Sequence, residues 1–274
     1  MDNTDYVHGY SSREASRLAD QAATLTTILH HDTLFPSGSH ILEAGCGTGA
    51  QTEIIARQNP GCTIHSIDIS PVSLDIARKR IESADGGVYA HKVTFAHGDI
   101  HDLSFPDGSF DHIILCFVLE HLKEPHSALN SLRRIIKPGG TITLIEGDHG
   151  SVYFHPDNQA AMQVVHCQIE LQRRAGGDAC IGRQLFPLLT GSGFRDIQVS
   201  PRMVYVDTSR PGLVDGFTRK TFTAMIEGIK DDAVRSGLIT ATVFDEGVKG
   251  LLRTCEPDGT FCYSFFKATA IRGA

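Results

Sequence analysis

Closely spaced glycines follow an apolar run near the start of the chain, in Gly45-Cys46-Gly47-Thr48-Gly49. The preceding run, Ile41 to Ala44, is typical of a buried strand, and helical spacing follows the glycines. A backbone without Cβ atoms can approach a ligand closely at the point where a strand gives way to a helix. The spacing predicts a cofactor loop. Gly45-x-Gly47-x-x-Ala50 also fits the relaxed dinucleotide fingerprint, so a nicotinamide-dependent oxidoreductase is an alternative.

Three carboxylates flank this loop or end the strands that follow it. Glu43 stands two residues before Gly45, where it can face the cationic amino group of a methionine moiety but would repel a pyrophosphate. Asp68 ends the second strand and suits two ribose hydroxyls. Both a nicotinamide dinucleotide and a nucleoside that carries a methionine moiety would provide them. Asp99, in Gly98-Asp99-Ile100, can accept from an adenine amino group while Ile69 and Ile100 pack against the ring.

The elements that must position these residues alternate along the chain. Strand-like runs are predicted at 40–44, 63–67, 92–96, 110–116 and 140–146. Helices are predicted at 12–31 and 126–136, and a further helix is predicted to begin at Pro71 after the Ser70 cap. After residue 148 we expect helices at 157–174 and 182–192, a strand at 194–207, mixed helix at 211–253 and a last strand at 260–271. Such alternation specifies a doubly wound α/β fold with a mostly parallel sheet.

Several of these segments together resemble the class I S-adenosylmethionine-dependent methyltransferases, close to the type that methylates ubiquinone and menaquinone precursors and other small molecules. The matching segments are Leu42-Glu43-Ala44-Gly45-Cys46-Gly47-Thr48-Gly49, Ile67-Asp68-Ile69-Ser70, Gly98-Asp99-Ile100, Phe110-Asp111, Leu119-Glu120-His121-Leu122 and Lys137-Pro138-Gly139-Gly140. The resemblance implies a seven-stranded sheet whose last strand is antiparallel and pairs with the sixth. It also implies S-adenosyl-L-methionine as cofactor.

The resemblance assigns cofactor contacts residue by residue. Gly45, Cys46 and Gly47 should line the cofactor, Asp68 should hold the ribose, and Asp99 should bind the adenine amine. The Cys116-Phe117 backbone should lie near the methionine end. Tyr10 resembles, more loosely, an N-terminal tyrosine that closes over the cofactor.

The methyl acceptor leaves a weaker trace in the sequence. Methyl transfer from a sulfonium requires above all that the acceptor is aligned with the methyl group. A general base is needed only when the acceptor loses a proton, so no catalytic residue is assigned. The candidates that face the acceptor, from their place near strand ends, are His121, His149 and Tyr153.

We expect a single methyltransferase domain over 1–274, with a core at about 36–148, 182–208 and 258–272. Lid segments are then expected at about 1–35, 149–181 and 209–257. The last of these mixes apolar residues, among them Phe217, Phe222 and Met225, with charged ones. This pattern predicts a lid over a partly apolar pocket, and a dimer interface is the alternative.

Composition narrows the remaining choices. The net charge of −7 over 274 residues disfavours nucleic acid as a partner, and the longest apolar run, 113–119, is too short for a membrane span. Residues 1–20 lack an apolar signal-peptide core, so we expect a cytoplasmic protein. Seven cysteines without a CxxC pair indicate free thiols, and no metal site is assigned among the fourteen histidines. The sequence thus predicts a small-molecule methyltransferase, with a non-catalytic S-adenosylmethionine-binding protein as a further alternative and the oligomeric state open.

Overall fold

A computed structural model describes residues 12–273 of the chain. Its centre is a seven-stranded sheet with the order β3-β2-β1-β4-β5-β7-β6. The strands are β1 (His40–Ala44), β2 (Thr63–Asp68), β3 (Val93–His97), β4 (Phe110–Cys116), β5 (Ile136–His155), β6 (Phe194–Val206) and β7 (Thr260–Arg272). β7 is antiparallel to both of its neighbours, and the first five strands pair in parallel. The predicted doubly wound fold with an antiparallel last strand is confirmed.

Helices cover both faces of this sheet. They are α1 (Ser12–His30), α2 (Ala50–Gln58), α3 (Pro71–Ser83), α4 (Pro125–Ile135), α5 (Gln159–Arg174), α6 (Leu185–Gly191), α7 (Pro211–Leu213), α8 (Ala224–Gly228), α9 (Lys230–Arg235) and α10 (Ala241–Arg253). Short 3₁₀ turns lie at 84–87, 90–92, 119–121 and 181–184, and a π-helix spans Val214–Thr223. Within the described range, no helix has both the length and the apolar character that crossing a membrane requires.

Local sequence explains where the helices begin. The Ser70 hydroxyl accepts a hydrogen bond from the Ser73 N–H, and Pro71 occupies the first turn of α3, as the sequence predicts. Asn158 caps α5 and Thr240 caps α10 in the same manner. These caps fix where each helix starts relative to the strand ends.

Alternation along the strands separates two apolar cores, one on each face of the sheet. On β1, Ile41 packs into one core and Leu42 into the other. On β7, Phe261, Tyr263 and Phe265 all face the first core, which also takes in residues of the 211–253 segment. This segment is therefore built into the core of the molecule.

The fifth strand is longer than the sequence predicts. Instead of ending at residue 146, β5 continues to His155 through an irregularity between Asp148 and Tyr153, and residues 153–155 pair with 260–262 of β7. Bulges of this kind re-aim side chains next to sites. Residues 149–155, expected in a covering segment, are thus sheet.

The C-terminal end of α1 is tied to the sheet by a buried lysine. The Lys267 ammonium on β7 donates to Asp32 at 2.6 Å and to Thr33 at 2.7 Å. Burial lowers the pKa of Lys267. The tie fixes this helix end while the opposite end passes over the carboxyl edge of the strands.

Candidate functional site

A cavity of about 780 Å³ lies beyond the carboxyl ends of the parallel strands. It straddles β1 and β4, the strands from which the order runs in opposite directions, which is where open α/β sheets bind ligands. Most of the residues predicted for the site line it. They are Gly45, Cys46, Gly47, Asp68, Ile69, Gly98, Asp99, Ile100, Cys116, Phe117, His121 and His149.

Three hydrogen bonds hold the glycine loop against the end of β2, and a fourth joins Asp68 to the start of α3. The Gly45 and Cys46 N–H groups donate to the Ile67 carbonyl at 2.8 and 3.0 Å. The Gly47 N–H donates to one oxygen of Asp68 at 2.7 Å, and the Ser70 N–H donates to the other at 2.9 Å. Asp68 therefore fixes both loops that frame the cavity while its carboxylate faces it.

The glycines of the loop are required for different reasons. Gly45 and Gly49 have positive φ values of 83° and 77°, and a Cβ at either would overlap Val118 or Ala77. Gly47 also has a positive φ, 51°, but a Cβ there would meet no protein atom. The space in front of Gly47 belongs to the cavity, as the cradle of a closely approaching ligand requires.

The first part of the cavity combines two carboxylates with exposed apolar side chains. Burial raises the pKa of Asp68, while the N–H groups of Ser70 and Gly47 oppose the shift. Ile69 and Val72 line the cavity with 54% and 60% of their surface exposed, so two apolar side chains beside the carboxylate are accessible to a ligand. Asp99 accepts from the His101 N–H at 2.9 Å at the far side.

Glu43 does not line the cavity, contrary to the expectation that it faces a ligand. Leu42 and Ala44 point to one core, so Glu43 points to the opposite face, towards α2. There its carboxylate accepts from the Thr52 hydroxyl at 2.6 Å and the Ser66 hydroxyl at 2.7 Å. With 2% of its surface exposed, it is a buried structural residue that links β1 to α2 and β2 behind the glycine loop.

Burial of Glu43 should make the stability of the protein depend on pH. Burial raises its pKa from 4.5 to about 7, so its favourable contribution is complete below pH 4.5 and is lost as the pH rises towards 7. Glu43→Gln keeps an oxygen for both hydroxyls and removes the charge. We expect its free energy of unfolding, relative to the wild type, to gain up to about 3 kcal/mol between pH 4.5 and pH 8.

Urea unfolding at several pH values measures this difference. Glu246→Gln, at an exposed position, is the control and should show no comparable change with pH. A constant difference between Glu43→Gln and wild type across the range would mean that Glu43 does not titrate there.

Beyond the loop, the cavity continues past the end of β4. Phe117 has a φ of 60°, a conformation that bulky side chains rarely adopt and that concentrates at functional sites. Its N–H donates to the Ile145 carbonyl at 2.9 Å, and its ring lies 5.5 Å from that of Phe265. The strained residue thus lines the cavity directly after the end of β4.

The inner part of the cavity is walled by aromatic rings with one polar corner. His149 and Tyr263 meet there, with His149 Nδ1 2.6 Å from the Tyr263 hydroxyl. Burial lowers the pKa of His149 and raises the pKa of Tyr263. Glu120 and His121 line the same corner, and the Glu120 carboxylate lies 3.5 Å from His121 Nε2.

A buried carboxylate supports the turn that carries these two residues. Glu146 accepts from the Val118 and Leu119 N–H groups at 3.0 and 2.8 Å. Burial raises the pKa of Glu146 well above its usual range. The 119–121 turn is therefore fixed from the middle of β5, the strand that also presents His149.

Tyr153 lies outside the cavity, although it was expected to face the acceptor. Its neighbours Val152 and Phe154 are buried in the core, so the alternation of β5 turns Tyr153 to the other face, with 55% of its surface exposed. Its hydroxyl lies 4.0 Å from the Met203 sulfur. Tyr10 falls outside the described residues.

The 211–253 segment and α1 supply much of the remaining wall. Phe217, Thr221 and Phe222 of the π-helix and Met225 of α8 line the cavity. Gly216 allows the π-helix to approach α1, because a Cβ there would overlap Thr24. π-Helices are rare and often occur at functional sites.

Sequence reasoning missed several residues of the wall. They are Arg17, Gln21, His97, Glu120, Tyr263 and Phe265. The period-two pattern of Phe261, Tyr263 and Phe265 on a predicted strand indicates a shared aromatic face. It does not indicate that this face meets the cavity.

Comparison with known proteins relates the first part of the site to a family. The sequence profile described as "Methyltransferase domain" matches residues 42–144. The demethylmenaquinone methyltransferase of Clavibacter sepedonicus is 34% identical over 110 residues, which is 40% of this chain and 42% of that protein. The chain spans about half the length of the curated relatives that it matches, between 34% and 54%.

Solved structures share the whole fold at low sequence identity. The phosphoethanolamine N-methyltransferase 2 of Haemonchus contortus superposes with a TM-score of 0.60 at 17% identity, covering 100% of this chain and 60% of that one. The [4+2]-cyclase SpnF superposes with a TM-score of 0.53 at 22% identity, covering 95% of this chain and 82% of that one. These likenesses establish the architecture, and the profile match favours a methyltransferase over a nicotinamide-dependent oxidoreductase.

Proposed function

Because residues 42–144 form a class I S-adenosylmethionine-dependent methyltransferase domain, we propose that this chain binds S-adenosyl-L-methionine and methylates a small molecule. The observation that carries the proposal is the continuous cavity. At one end lies Asp68, fixed by the N–H groups of Gly47 and Ser70, and at the other lies a wall of aromatic rings. A cofactor and an acceptor can lie end to end in such a space.

The residues of the first part fit the proposed cofactor. The Asp68 carboxylate faces the cavity and retains lone pairs for ribose hydroxyls after accepting from the two N–H groups. Gly47 leaves room for close approach, and Ile69 and Ile100 offer apolar faces for a purine ring. Bound S-adenosylmethionine supplies a methyl group on a positively charged sulfur, which is an activated leaving group.

The protein's own contribution is to align the acceptor and exclude water. Holding two reactants in line can lower a barrier by several kcal/mol without any catalytic side chain. Phe117, Phe217, Phe222 and Phe265 enclose the inner part of the cavity. These walls suit a small, partly apolar acceptor, and the net charge of −7 supports a partner other than nucleic acid.

Calorimetry and product detection test the proposal. We expect S-adenosylhomocysteine to bind in a 1:1 ratio and NAD to show no binding. Incubation of the protein and methyl-deuterated cofactor with a small-molecule extract should yield a labelled product by mass spectrometry. Binding of NAD, or absence of S-adenosylhomocysteine binding, would refute the proposed cofactor. Binding without any labelled product would favour a non-catalytic cofactor-binding protein.

We further propose that the 209–257 segment is a lid that selects the acceptor. Phe217 and Phe222 of this segment line the cavity and also pack into the core. Among the described residues, the large hydrophobic side chains that are exposed all lie elsewhere in the chain. Its apolar residues are therefore already covered within the molecule. This supports the role of a lid rather than that of a dimer interface.

Two matched substitutions separate acceptor selection from stability. Phe222 and Phe244 are both buried in this segment, but only Phe222 contacts the cavity. We expect Phe222→Leu to lower product formation several-fold with unchanged affinity for S-adenosylhomocysteine. Both variants should lower the free energy of unfolding by about 1 kcal/mol, but Phe244→Leu should leave the product yield unchanged. Equal effects of both variants on product formation would argue against the lid.

A further inference from the structure

His149 and Tyr263 form a hydrogen-bonded pair at the inner end of the cavity. They belong to β5 and β7, and both side chains are buried, with 7% and 2% of their surface exposed, yet both line the cavity. The Tyr263 hydroxyl lies 2.6 Å from Nδ1, and the rings are 5.6 Å apart. The cofactor site described above makes no use of this pair.

The surroundings keep His149 neutral. Burial lowers its pKa, and Arg17 of α1 and His121 act in the same direction, while Glu120 and Asp148 oppose them. Asp148 is itself paired with Arg183 by hydrogen bonds of 2.7 and 2.8 Å. A neutral imidazole carries one N–H and one lone pair, so His149 can accept a proton at neutral pH.

Tyr263 decides which nitrogen is available. If Nδ1–H donates to the tyrosine oxygen, the lone pair stays on Nε2, the nitrogen that is not bonded to Tyr263. Phe222, 6.1 Å from His149, and Tyr263 itself pack against the ring and hold its orientation. This is the arrangement of a general base and the group that orients it.

Resting on the proposed function, we propose that His149 is the general base that deprotonates a hydroxyl group of the acceptor, with Tyr263 as its positioning residue. The O–H bond breaks and its proton goes to His149 Nε2. The electron pair that is released makes the acceptor nucleophilic, at oxygen or at a conjugated carbon, and forms the bond to the methyl carbon. The methyl–sulfur bond breaks with its electrons going to sulfur.

The chemistry of the wall favours a hydroxyl over an amine. A neutral amine attacks with its own lone pair and needs no base beforehand, whereas a neutral hydroxyl is a weak nucleophile until its proton leaves. An apolar wall admits the neutral form of the acceptor and disfavours a charged one. A phenol or enol enters neutral and ionises only where a base stands ready.

Glu120 is the competing base in the same corner. Its side chain lines the cavity and lies beside His121. A carboxylate there would also accept a proton. The experiment must therefore separate His149 from Glu120.

The test uses 4-nitrophenol, whose absorption distinguishes phenol from phenolate, with protein saturated by S-adenosylhomocysteine at a pH where the free probe is ionised. Calorimetry in buffers of different ionisation enthalpy counts the protons taken up on binding. We expect wild type to take up about one proton while the bound probe keeps its phenolate spectrum, because the proton goes to His149. In His149→Asn the probe should either bind without proton uptake or lose its phenolate spectrum.

Two further variants complete the test. The signature of a base at His149 is the uptake of about one proton together with a phenolate spectrum of the bound probe. Tyr263→Phe should weaken this signature, and Glu120→Gln should preserve it. With a hydroxylated acceptor, His149→Asn should lower kcat by about 10²–10⁴-fold and leave the KM for S-adenosylmethionine unchanged.

Several results would overturn this assignment. The first is a wild-type complex in which the proton goes to the probe, and the second is the absence of saturable nitrophenol binding. The others are a signature that persists in His149→Asn and a signature that disappears in Glu120→Gln. The preceding titration with S-adenosylhomocysteine reports separately on the proposed function, so the two failures are distinguishable.

Discussion

Gly47→Val is expected to abolish S-adenosylmethionine binding in a protein that remains folded. The cavity lies directly in front of Gly47, and a Cβ there would meet no atom of the protein. A branched side chain would occupy the space that the cofactor needs, and it would disfavour the positive φ of 51°. Affinity should fall by at least about a hundredfold, since several contacts are lost together. Calorimetry with S-adenosylhomocysteine measures this loss.

Gly38→Val is the matched control. Gly38 also has a positive φ, 88°, with no protein atom near its missing Cβ, but it precedes β1 and does not line the cavity. It should show the same backbone strain in thermal unfolding and unchanged cofactor affinity. Normal binding by Gly47→Val, or equal loss in both variants, would show that the loop does not cradle the ligand.

Asp68→Ala is expected to weaken cofactor binding by at least tenfold. Two charge-assisted hydrogen bonds to ribose hydroxyls would be lost, each contributing about 1.5–3 kcal/mol. The substitution also releases the N–H groups of Gly47 and Ser70, which hold the two loops in place. Both losses act in the same direction. The dissociation constant of S-adenosylhomocysteine, measured by calorimetry, reports their sum.

Asp68→Asn separates the two contributions. The asparagine side chain keeps one oxygen to accept from a loop N–H but has no charge and one acceptor fewer. We expect an affinity between those of wild type and Asp68→Ala, with a melting temperature close to wild type. Unchanged affinity in a folded Asp68→Ala protein would remove Asp68 from the site.

The cofactor half of the site could be predicted because its signals are local. Gly45, Gly47, Asp68 and Asp99 each lie at or shortly after the recognisable end of a strand, and parallel strands bring their carboxyl ends to one edge. Glu43 lies on the same strand as the loop, yet it points the other way. Which face of a strand meets the ligand depends on the helix that covers it, here α2 through Thr52.

The part of the cavity that we propose for the acceptor could not be predicted in the same way. The contact between His149 and Tyr263 spans 114 residues of sequence, and no local pattern specifies it. Tyr153 was misplaced because the irregularity in β5 and the continuation of the strand decide which side chains face inward. The period-two pattern predicts a strand well, and long-range pairing decides which of its faces becomes a site.

The place of β7 in the sheet has a consequence for the order in which the protein matures on the ribosome. β7 is the last of the seven strands to be synthesised, yet it lies between β5 and β6. The strands that carry the glycine loop, Asp68 and Asp99 can pair during translation, whereas β5 and β6 have no common partner until residues 260–272 emerge. Tyr263 arrives only then. A nascent chain can thus form the Asp68 end of the cavity before its inner, aromatic end exists, and the finished sheet closes around the last strand.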